Sequence, residues 1–577
     1  MQHKKMADDI LTERYCQHGE KPEDVFKRVA QYYGNNEAHS KRLLEYFEKK
    51  WLIPSTPILS NGGTEKGLPI SCFLNEVEDS MADILNRQTE CGHLASLGGG
   101  IGTYYGNIRS INEPIKNGKK GKTTGVIPFI KTLDSQTLAV SQGSNRRGSA
   151  AVYMQISHPE IEEFIDIRRP TSRDIHRQSQ NIHHGVVISD EFMQKAQNNE
   201  DFELKSPHDG KIISTVNARN LWYKILTTRA ETGEPYIVFG DTVNNARPVV
   251  YKKLGLEVKT SNLCAEIMLT TGEDYREKKR TAVCCLSSVN LEFFPEWKDS
   301  PFFIKDALYL LDNVLSDFIT KAPKSIARAA YSAHMERSVG LGVMGFHSLL
   351  QKQNIAFEWI AAKVKNIEIF KHIKNACDKA NYEIAIERGA CPDCEKVGEV
   401  KRFSHCTAIA PTASISIFAH TSPSIEPYSA NLITQKTLSG TFIVKNKHLE
   451  ALLQKIGQND DVVWASIARN KGSVQHLSFL TDEEKDIFKT AQEINPLYII
   501  DYASERQPYV DQGQSVNIFV KHNILKSDLH AIHYRAWKKK LKSLYYCRSE
   551  SAHEASTKSE ISVQPKPFEL DECLACQ

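Results

Sequence analysis

The sequence lacks the features that mark membrane, secreted and fibrous proteins. No run of 18 apolar residues occurs along its 577 positions, so no membrane-spanning helix is predicted. The first residues turn acidic at Asp8 and Asp9 and contain no apolar stretch, which excludes a signal peptide. Internal repeats of fixed period and low-complexity tracts are also missing. The hydrophobic content of 41% and the charged content of 25% indicate a globular protein.

The chain also lacks an excess of charge of either sign and a regular cysteine framework. Its 73 Lys and Arg residues stand against 70 Asp and Glu residues, for a net charge of +3, so bulk electrostatics do not indicate a nucleic-acid binder. Its 13 cysteines are odd in number and irregularly spaced. This pattern argues against a disulfide scaffold and predicts a reducing, cytoplasmic compartment in which some thiols are catalytic.

The N-terminal part predicts a small helical region over residues 1–53. An amphipathic helix is expected over 22–33, because Pro22 suits a first turn and Gly34 ends the pattern. A second helix is expected over about 38–50, before the prolines at 54 and 57. Length alone suggests about three to four domains.

From 54 to 547 the pattern of apolar residues predicts one large α/β domain. Short apolar runs alternate with helical or loop stretches, which is typical of α/β proteins. Residues 301–385 are expected to be mostly helical, with a helix over 365–388. The last residues, 548–577, contain few apolar side chains and predict a flexible tail. The apolar runs are Ile70–Leu74, Gly125–Ile130, Ala150–Met154, Gly185–Ile188 and Tyr236–Phe239.

One polar stretch stands out inside this domain, Asn262-Leu263-Cys264-Ala265-Glu266. If the segment is extended, its amide, thiol and carboxylate side chains alternate onto one face, spread over roughly 13 Å. A thiol between a hydrogen-bonding group and a general base is a reaction centre of about the size of a sugar. The competing interpretation is a half-buried strand with a structural cysteine.

Several glycine-rich or hydroxyl-rich stretches allow a phosphate site. Gly340–Gly345 matches G-x-G-x-x-G, but a helix is predicted before it, so close packing is favoured over a dinucleotide site. Gly98–Gly102 is glycine-rich, and Ser141–Ser149 places two arginines between glycines, as a nucleotide loop or a surface loop. Ala410–Ser416 is a turn that enters a helix, either with a phosphate on its N–H groups or as a plain capped helix.

Other thiols and a pair of tyrosines extend the redox hypothesis. Cys72 and Cys284 would form a redox pair if the fold brought them to the Cys264 face, which the sequence does not establish. Cys573-Leu574-Ala575-Cys576 lies on the predicted tail and suits thiol–disulfide exchange. Tyr545-Tyr546 suits either strand packing or electron relay. A zinc site is a weaker alternative for Cys391, Cys394, His405 and Cys406, because His405 and Cys406 are adjacent and lack the spacing of a zinc-ligand pair.

Taken together, these motifs resemble the catalytic (large, alpha) subunit of class I ribonucleotide reductase, in the family's order and over nearly the whole chain. The first redox cysteine, preceded by serine, matches Cys72, and the Asn-Leu-Cys-x-Glu finger loop matches 262–266. Cys-x-Leu-Ser-x-x-Asn-Leu begins at Cys284, and Pro411–Ser416 matches the diphosphate loop. The paired tyrosines and the tail CxxC complete the match.

The resemblance implies radical reduction of ribonucleoside diphosphates to deoxyribonucleotides for DNA synthesis. Cys264 would form a thiyl radical that takes the 3′ hydrogen, Glu266 would accept the 3′-hydroxyl proton, and Asn262 would hold the hydroxyls. Cys72 would protonate the leaving 2′-hydroxyl and then close a disulfide with Cys284. The further implied roles are radical transfer by Tyr545 and Tyr546, tail redox exchange by Cys573 and Cys576, substrate binding by Thr56, Ser71, Thr412, Ala413, Ser414 and Ile415, and effector binding by Asp79, Arg109, Gln142 and Arg147.

The same resemblance implies a fold and a set of partners. The fold would be a ten-stranded α/β barrel of two five-stranded parallel halves, with the finger loop at its centre. The partners would be a metal-containing small (beta) subunit, thioredoxin or glutaredoxin, and a second copy in a homodimer, with neither nucleic acid nor membrane. The chain itself would hold no metal and no cofactor beyond nucleotide effectors, ATP or dNTP.

Two features depart from the family's common pattern. The Val-x-Lys-Arg-(Asp/Asn)-Gly motif of an N-terminal ATP-cone is missing, so overall on/off control by ATP and dATP at such a cone is not expected. The alternative is a cone on the partner subunit. Ala413 also replaces a carboxylate that some relatives have in the diphosphate loop. Leu263 and Ala265 favour the small-subunit-dependent class over the cobalamin-dependent class, which usually has Asn-Pro-Cys-Gly-Glu. A distant alternative is a non-enzymatic nucleotide-binding redox protein.

Overall fold

The computed structural model describes residues 2–115, 121–140, 149–169, 174–437, 440–521 and 523–549. Its helices up to residue 321 are α1 Gln2–Arg14, α2 Pro22–Tyr33, α3 Glu37–Glu48, α4 Thr56–Asn61, α5 Met81–Ser96, α6 Ile127–Ala139, α7 Ile161–Ile165, α8 Asp190–Asn198, α9 Ala218–Thr232, α10 Gly240–Asn245, α11 Val249–Leu254, α12 Phe294–Trp297 and α13 Phe303–Lys321. The later helices are α14 Ala327–Glu336, α15 Phe346–Lys352, α16 Ile360–Arg388, α17 Pro392–Lys396, α18 Ala413–Ala419, α19 Lys447–Lys455, α20 Asp461–Arg469, α21 Asp482–Ile487, α22 Pro496–Arg506 and α23 Lys526–Lys538.

The strands are short and spread along the whole chain. They are β1 Leu52–Pro54, β2 Cys72–Glu76, β3 Gly100–Tyr104, β4 Ser149–Gln155, β5 His183–Ile188, β6 Asp201–Lys205, β7 Ile212–Asn217, β8 Tyr236–Phe239, β9 Gly272–Glu273, β10 Lys279–Arg280, β11 Ala282–Asn290, β12 Val339–Met344, β13 Leu432–Thr437, β14 Gly440–Lys445, β15 Ile518–Val520, β16 Ser543–Leu544 and β17 Cys547–Ser549.

The N-terminal helices pack together as the sequence predicts. Helix α2 has the predicted bounds, and α3 begins after Asn36, whose side chain accepts a hydrogen bond from the backbone N–H of His39. Helix α1 has no counterpart in the prediction, because its apolar stripe is narrow. The stripe is nevertheless buried, with Met6 and Ile10 almost fully covered.

The large domain is built on a sheet that curls into a half-barrel. Within the described residues, β2, β3, β4, β5 and β8 run parallel, each hydrogen-bonded to the next. Antiparallel strands flank this arc, since β11 pairs with β2 and β16 pairs with β8. Parallel strands buried on both faces require continuous apolar runs, which explains the sequence pattern. The mixed α/β class is therefore confirmed.

A second set of parallel contacts continues from β11. Strand β12 pairs parallel with β11, and parallel bridges join Leu341 to Thr407 and Ile409 to Gln514. Strand β15 pairs parallel with β17. The chain segments around residues 407–409 and 512–516 therefore continue the parallel contacts of the β11–β12 pair.

Four of the five predicted apolar runs form or overlap strands, and one does not. The run Gly125–Ile130 was predicted to be strand-like, but α6 begins within it at Ile127. Pro128 occupies the first turn of α6, where its missing N–H costs nothing. The N–H of Val126 donates to Glu160 Oε2 at 3.0 Å instead of to a neighbouring strand.

The C-terminal half follows the helical prediction. Helix α16 covers the predicted 365–388 segment and ends at Gly389. Gly340 lies in β12, and a Cβ there would fall 2.6 Å from Leu286 Cδ2 and 3.0 Å from Cys284 Sγ. The predicted close packing at this glycine motif is confirmed.

The end of the large domain lies slightly beyond the predicted boundary. Arg548 and Ser549 belong to β17, so the tail prediction of 548–577 was wrong for these two residues, because their backbone completes a pair with β15. Residues 550–577 lie outside the described part of the chain.

No helix among the described residues is long and apolar enough to cross a membrane. The same residues contain no group of three or more His, Cys, Asp or Glu side chains placed to hold a metal ion.

Candidate active site

The segment around Cys264 is a buried turn rather than the predicted extended segment. The N–H of Ala265 lies 3.3 Å from the carbonyl of Asn262, and Ala265 has a φ of +60°. Asn262 Oδ1 accepts the backbone N–H groups of Glu266 and Ile267, each at 3.1 Å. The extended interpretation was wrong because the Asn262 side chain satisfies donors that a strand would have paired with its neighbour.

A tyrosine hydroxyl reaches the Cys264 thiol from the C-terminal part of the chain. Tyr545 Oη lies 3.4 Å from Cys264 Sγ, and both residues are buried. Tyr546 packs against Tyr545 with ring centroids 4.2 Å apart. A third ring, Tyr236, lies 4.7 Å from the ring of Tyr545 and 5.1 Å from that of Tyr546. The paired tyrosines therefore form an unbroken aromatic contact that leads away from the thiol.

The outer tyrosine borders a charged cluster. Tyr546 Oη lies 3.4 Å from His183 Nδ1, which in turn lies 2.5 Å from Glu234 Oε1. Arg168 forms an ion pair with Glu234, and the Arg548 guanidinium lies 5.2 Å from the centre of the Tyr546 ring. Burial opposes ionisation of Glu234, but Arg168 and His183 hold its pKa well below the usual range. Tyr545 is thus buried next to the thiol, whereas Tyr546 contacts the polar groups of this cluster.

The fold brings Cys72 and Cys284 together, which the sequence did not establish. They are directly opposite in the antiparallel pairing of β2 with β11, and both are present as thiols and not as a disulfide. Opposite residues have Cα atoms about 4.5–5.5 Å apart, within the range of about 4.4–6.8 Å that a disulfide needs. Asn262 Nδ2 lies 3.1 Å from Cys72 Sγ, so the pair adjoins the Cys264 turn. Burial and the neighbouring Cys72 raise the pKa of the Cys284 thiol.

Hydroxyl groups from the C-terminal part of the chain support the turn. Ser515 Oγ donates to the carbonyl of Cys264 at 2.7 Å and lies 3.2 Å from Glu266 Oε2. Ser543 Oγ donates to the carbonyl of Ala265 at 2.7 Å. These two serines support the turn from one side, and the Ser515 hydroxyl lies next to the Glu266 carboxylate.

Backbone and amide groups complete this support. The N–H of Gly513 donates to the carbonyl of Glu266 at 2.7 Å, and Gln512 Oε1 accepts the N–H of Met268 at 3.1 Å. We call Gln512, Gly513, Ser515 and Ser543 the cradle. Sequence reasoning missed all four, and the one signal was a polar run, 512–515, just before an apolar segment.

The proposed substrate residues meet the end of α1. Tyr15 Oη lies 3.2 Å from Thr56 Oγ1, and Arg14 Nη1 donates to Ser414 Oγ at 2.9 Å. Thr56 and Ser414 come from elements far apart in sequence, so α1 joins two parts of one site. Sequence reasoning did not identify Arg14 or Tyr15, because α1 itself was not predicted.

The turn that enters α18 has the predicted form. Thr412 precedes the helix with a φ of +52°, and Ala413 begins it. Thr412 Oγ1 accepts the N–H of Ser424 at 2.7 Å and does not cap the helix. Ser414 and Ile415 follow in the first turn and are buried.

A narrow cavity lies over the two paired thiols. It opens between the beginning of α4, the segment that precedes β2, and β11. Its lining includes Cys72, Cys284 and the predicted substrate residue Ser71. The lining residues are Ser55, Pro57, Pro69, Ile70, Ser71, Cys72, Cys284 and Leu286.

Two of the four predicted effector residues are in contact, and two cannot be placed. Arg109 Nε lies 2.8 Å from Asp79 Oδ2, and His208 Nδ1 lies 3.2 Å from the same carboxylate. Gln142 and Arg147 lie outside the described residues. The structure thus brings Asp79 and Arg109 together as a partly buried ion pair.

The chain matches two known protein families along nearly its whole length. The family described as "Ribonucleotide reductase, barrel domain" matches residues 70–401 and 395–547, and "Ribonucleotide reductase, all-alpha domain" matches residues 1–67. The chain belongs to the ribonucleotide reductase family.

Individual relatives narrow the assignment. The chain is 39% identical to the "Ribonucleoside-diphosphate reductase large subunit" of Invertebrate iridescent virus 3, with 96% of this chain and 95% of that protein aligned. It is 31% identical to the "Ribonucleoside-diphosphate reductase subunit alpha" of Chlamydia trachomatis, with 95% of this chain and 59% of that protein aligned. The solved "Actinobacillus ureae class Id ribonucleotide reductase alpha subunit" superposes with a TM-score of 0.84 at 36% identity, covering 96% of this chain and 98% of that one. The protein is a ribonucleoside-diphosphate reductase, the class I large (alpha) subunit.

Proposed function

We propose that Cys264 carries the thiyl radical that removes the 3′ hydrogen of a ribonucleoside diphosphate. The observation that carries this assignment is the 3.4 Å contact between the buried Cys264 thiol and the Tyr545 hydroxyl. On the other side of the turn, Asn262 contacts Cys72. A radical formed at Cys264 is therefore next to both an electron route and a pair of reducing thiols.

The remaining chemistry is divided among four side chains. Glu266 accepts the 3′-hydroxyl proton, with Ser515 Oγ 3.2 Å from its carboxylate, and Asn262 holds the substrate hydroxyls. Cys72 protonates the 2′-hydroxyl, which leaves as water. Cys72 and Cys284 together lose two electrons and two protons and form one disulfide in each turnover.

The radical equivalent reaches this chain from a metal-containing small subunit. The contacting rings of Tyr545 and Tyr546 support this route, because they connect the buried thiol to the charged cluster at Glu234. Thioredoxin or glutaredoxin is the final reductant, and the product supplies DNA synthesis.

One assay tests the proposed activity and its main alternative. CDP reduction is measured with the chain alone, with a candidate small subunit, and separately with adenosylcobalamin. We expect dCDP only in the presence of the small subunit. Turnover with adenosylcobalamin alone would favour the cobalamin-dependent mechanism, against which Leu263 and Ala265 argue. Absence of dCDP in all arms would contradict the proposed reaction.

The complete fold is proposed to be a ten-stranded barrel with the Cys264 turn at its centre. The five-stranded parallel arc is one half. The second half continues through β11 and β12 and the segments joined by the bridges Leu341–Thr407 and Ile409–Gln514. Hydrogen bonds from the cradle to residues 264–268 support a central position for the turn.

A regulatory site for ATP or dNTP effectors is proposed at Asp79, Arg109, Gln142 and Arg147. The contact between Arg109 and Asp79 supports one side of this site. We also propose a homodimer, as expected from the family. The domains are proposed to follow the predicted boundaries, with a helical region at 1–53 and the barrel from residue 54.

The first testable expectation concerns Cys573 and Cys576. Cys72 and Cys284 are only 5% and 2% exposed, so a folded protein reductant cannot reach them directly. We expect the double substitution Cys573→Ser/Cys576→Ser to lower thioredoxin-driven turnover at least about tenfold, because the exchange relay is lost. Activity with dithiothreitol, which is small enough to enter, should persist. Equal loss with both reductants would contradict a relay.

The second expectation concerns the substrate phosphates. Arg14 donates to Ser414 Oγ at 2.9 Å, which places its guanidinium beside the predicted diphosphate loop, and a guanidinium suits phosphate oxygens. Arg14→Met should raise KM for CDP about 10- to 100-fold with little change in kcat, as loss of a charged hydrogen bond predicts. Lys5→Met, an exposed charge on the same helix, is the matched control. An unchanged KM would show that Arg14 does not meet the phosphates.

A further inference from the structure

Gln512 is the member of the cradle that contacts both the Cys264 turn and a redox cysteine. Its side chain is completely buried. Gln512 Nε2 lies 3.6 Å from Cys284 Sγ, 3.4 Å from Ser338 Oγ and 3.3 Å from the carbonyl of Val339. Gln512 Oε1 accepts the N–H of Met268 at 3.1 Å. The amide therefore bridges the turn and the sulfur of Cys284.

The orientation of this amide follows from its neighbours. A backbone N–H only donates, so the atom that faces Met268 must be the oxygen of Gln512. The amide nitrogen then faces Cys284 and Val339. Its two hydrogens face three acceptors, which are the Val339 carbonyl, Ser338 Oγ and the Cys284 sulfur.

The backbone of Gln512 is also held in place. Lys542 Nζ donates to the carbonyl of Gln512 at 2.9 Å, and Gln507 Nε2 donates to the same oxygen at 3.0 Å. The next residue, Gly513, donates its N–H to the carbonyl of Glu266. A donor fixed on both sides needs no rearrangement when charge develops at the sulfur, which is the condition for efficient electrostatic stabilisation.

We propose that Gln512 is a catalytic residue of disulfide reduction: its amide N–H stabilises the thiolate that forms when Cys284 leaves the Cys72–Cys284 disulfide. The role rests on the proposed function, in which that disulfide forms in every turnover. This role of Gln512 differs from a role in the radical chemistry. In the radical steps Cys284 does not become a full thiolate, whereas in disulfide reduction it does.

The exchange balances as two displacements. One thiolate of a dithiol attacks one sulfur of the pair, the Cys72–Cys284 bond breaks, and its electron pair goes to the departing sulfur. The second thiol of the reductant then displaces the remaining cysteine. Each cysteine leaves once as a thiolate and takes up a proton, while the dithiol becomes a disulfide. Whichever sulfur is attacked first, Cys284 must carry negative charge beside Gln512.

Each of the two cysteine sulfurs faces a side-chain amide nitrogen. Asn262 Oδ1 accepts two backbone N–H groups, so its Nδ2 must face Cys72 Sγ. One amide N–H therefore serves each buried sulfur, with Asn262 at Cys72 and Gln512 at Cys284. Burial raises the pKa of the Cys284 thiol, whereas the hydrogen bond from Gln512 lowers it.

The test separates the first turnover from re-reduction. Prereduced full-length Gln512→Met is mixed with CDP and small subunit without reductant, and dCDP formation is followed. The rate at which dithiothreitol restores two thiols is measured separately on protein oxidised by turnover. We expect re-reduction to be slowed about 10- to 100-fold, as the loss of a hydrogen bond to a charged group predicts, and by a clearly larger factor than the first turnover.

Two further variants keep the result decisive. Gln512→Glu preserves the acceptor for Met268 and the side-chain volume but removes the N–H donors, so it should show the same selective loss even if the methionine variant does not fold. Ser543→Ala removes a different cradle hydrogen bond, at Ala265, and should change the two rates by the same factor.

The outcomes are distinguishable from failure of the proposed function. Equal slowing of both steps by Gln512→Glu would overturn the proposal and leave Gln512 as support for the turn. Normal re-reduction would overturn it as well. If wild-type protein makes no dCDP, the proposed function fails. Diamide, a dithiol oxidant, then forms the disulfide without turnover, and the dithiothreitol rates of wild type and Gln512→Glu still decide the role of Gln512.

Discussion

Replacing Cys264 with serine should abolish CDP reduction while nucleotide binding is retained. The substitution removes the thiol that Tyr545 contacts at 3.4 Å and changes little else, since the side chain is fully buried and nearly isosteric. Loss of the reacting group of an enzyme commonly costs more than about a thousandfold in rate. The measurement is multiple-turnover dCDP formation with the small subunit, together with equilibrium binding of CDP.

The matched control is Cys377→Ser. Cys377 is also fully buried, but it lies in α16 and packs in a different hydrophobic cluster from Cys264, Cys72 and Cys284. It should reduce CDP at a rate close to that of wild type. Multiple turnover by Cys264→Ser would remove the radical role from this cysteine, because a serine hydroxyl cannot take the place of the thiol.

The second large effect is expected at the paired tyrosines. Tyr545→Phe keeps the ring that packs 4.2 Å from Tyr546 but removes the hydroxyl that lies 3.4 Å from Cys264 Sγ. Turnover should fall by more than about a hundredfold, because an essential transfer step is lost rather than weakened. Tyr546→Phe should have the same effect. Substrate binding should be unchanged in both variants.

Tyr105→Phe provides the comparison for a buried tyrosine outside this route. Its activity should remain close to that of wild type. Normal rates in both Tyr545→Phe and Tyr546→Phe would exclude the tyrosines as a radical route. Adenosylcobalamin-dependent turnover would then be the next measurement.

The order of reactive residues could be predicted from the sequence, but their geometry could not. Asn262, Cys264 and Glu266 were identified as a set because their side chains have complementary chemistry. Their backbone was predicted as extended, and the error came from Asn262, whose side chain folds back on the N–H groups of Glu266 and Ile267. Local side-chain hydrogen bonds of this kind compete with strand pairing without changing the hydrophobic pattern.

Contacts between distant segments were also beyond the reach of sequence patterns. The pairing of Cys72 with Cys284 depends on the antiparallel register of β2 and β11, which joins residues about two hundred positions apart. Gln512, Ser515 and Ser543 carry no motif, because their role is defined by the turn that they hold. At the apolar run Gly125–Ile130, by contrast, the sequence did contain a signal for the correct structure, because Pro128 is typical of the first turn of a helix.

The cradle has a consequence for the order in which the protein is assembled. Its hydrogen bonds to the Cys264 turn span 251 residues from Ser515 and 278 residues from Ser543. Contacts of such long range form late, since a large loop must close first, and domains fold as the chain is synthesised. A nascent chain that has passed Cys264 but not Gln512 lacks the whole cradle, and one that has not reached Tyr545 lacks the hydroxyl that contacts the thiol. The thiol that would carry the radical is therefore not connected to its proposed radical route until Tyr545 has been synthesised.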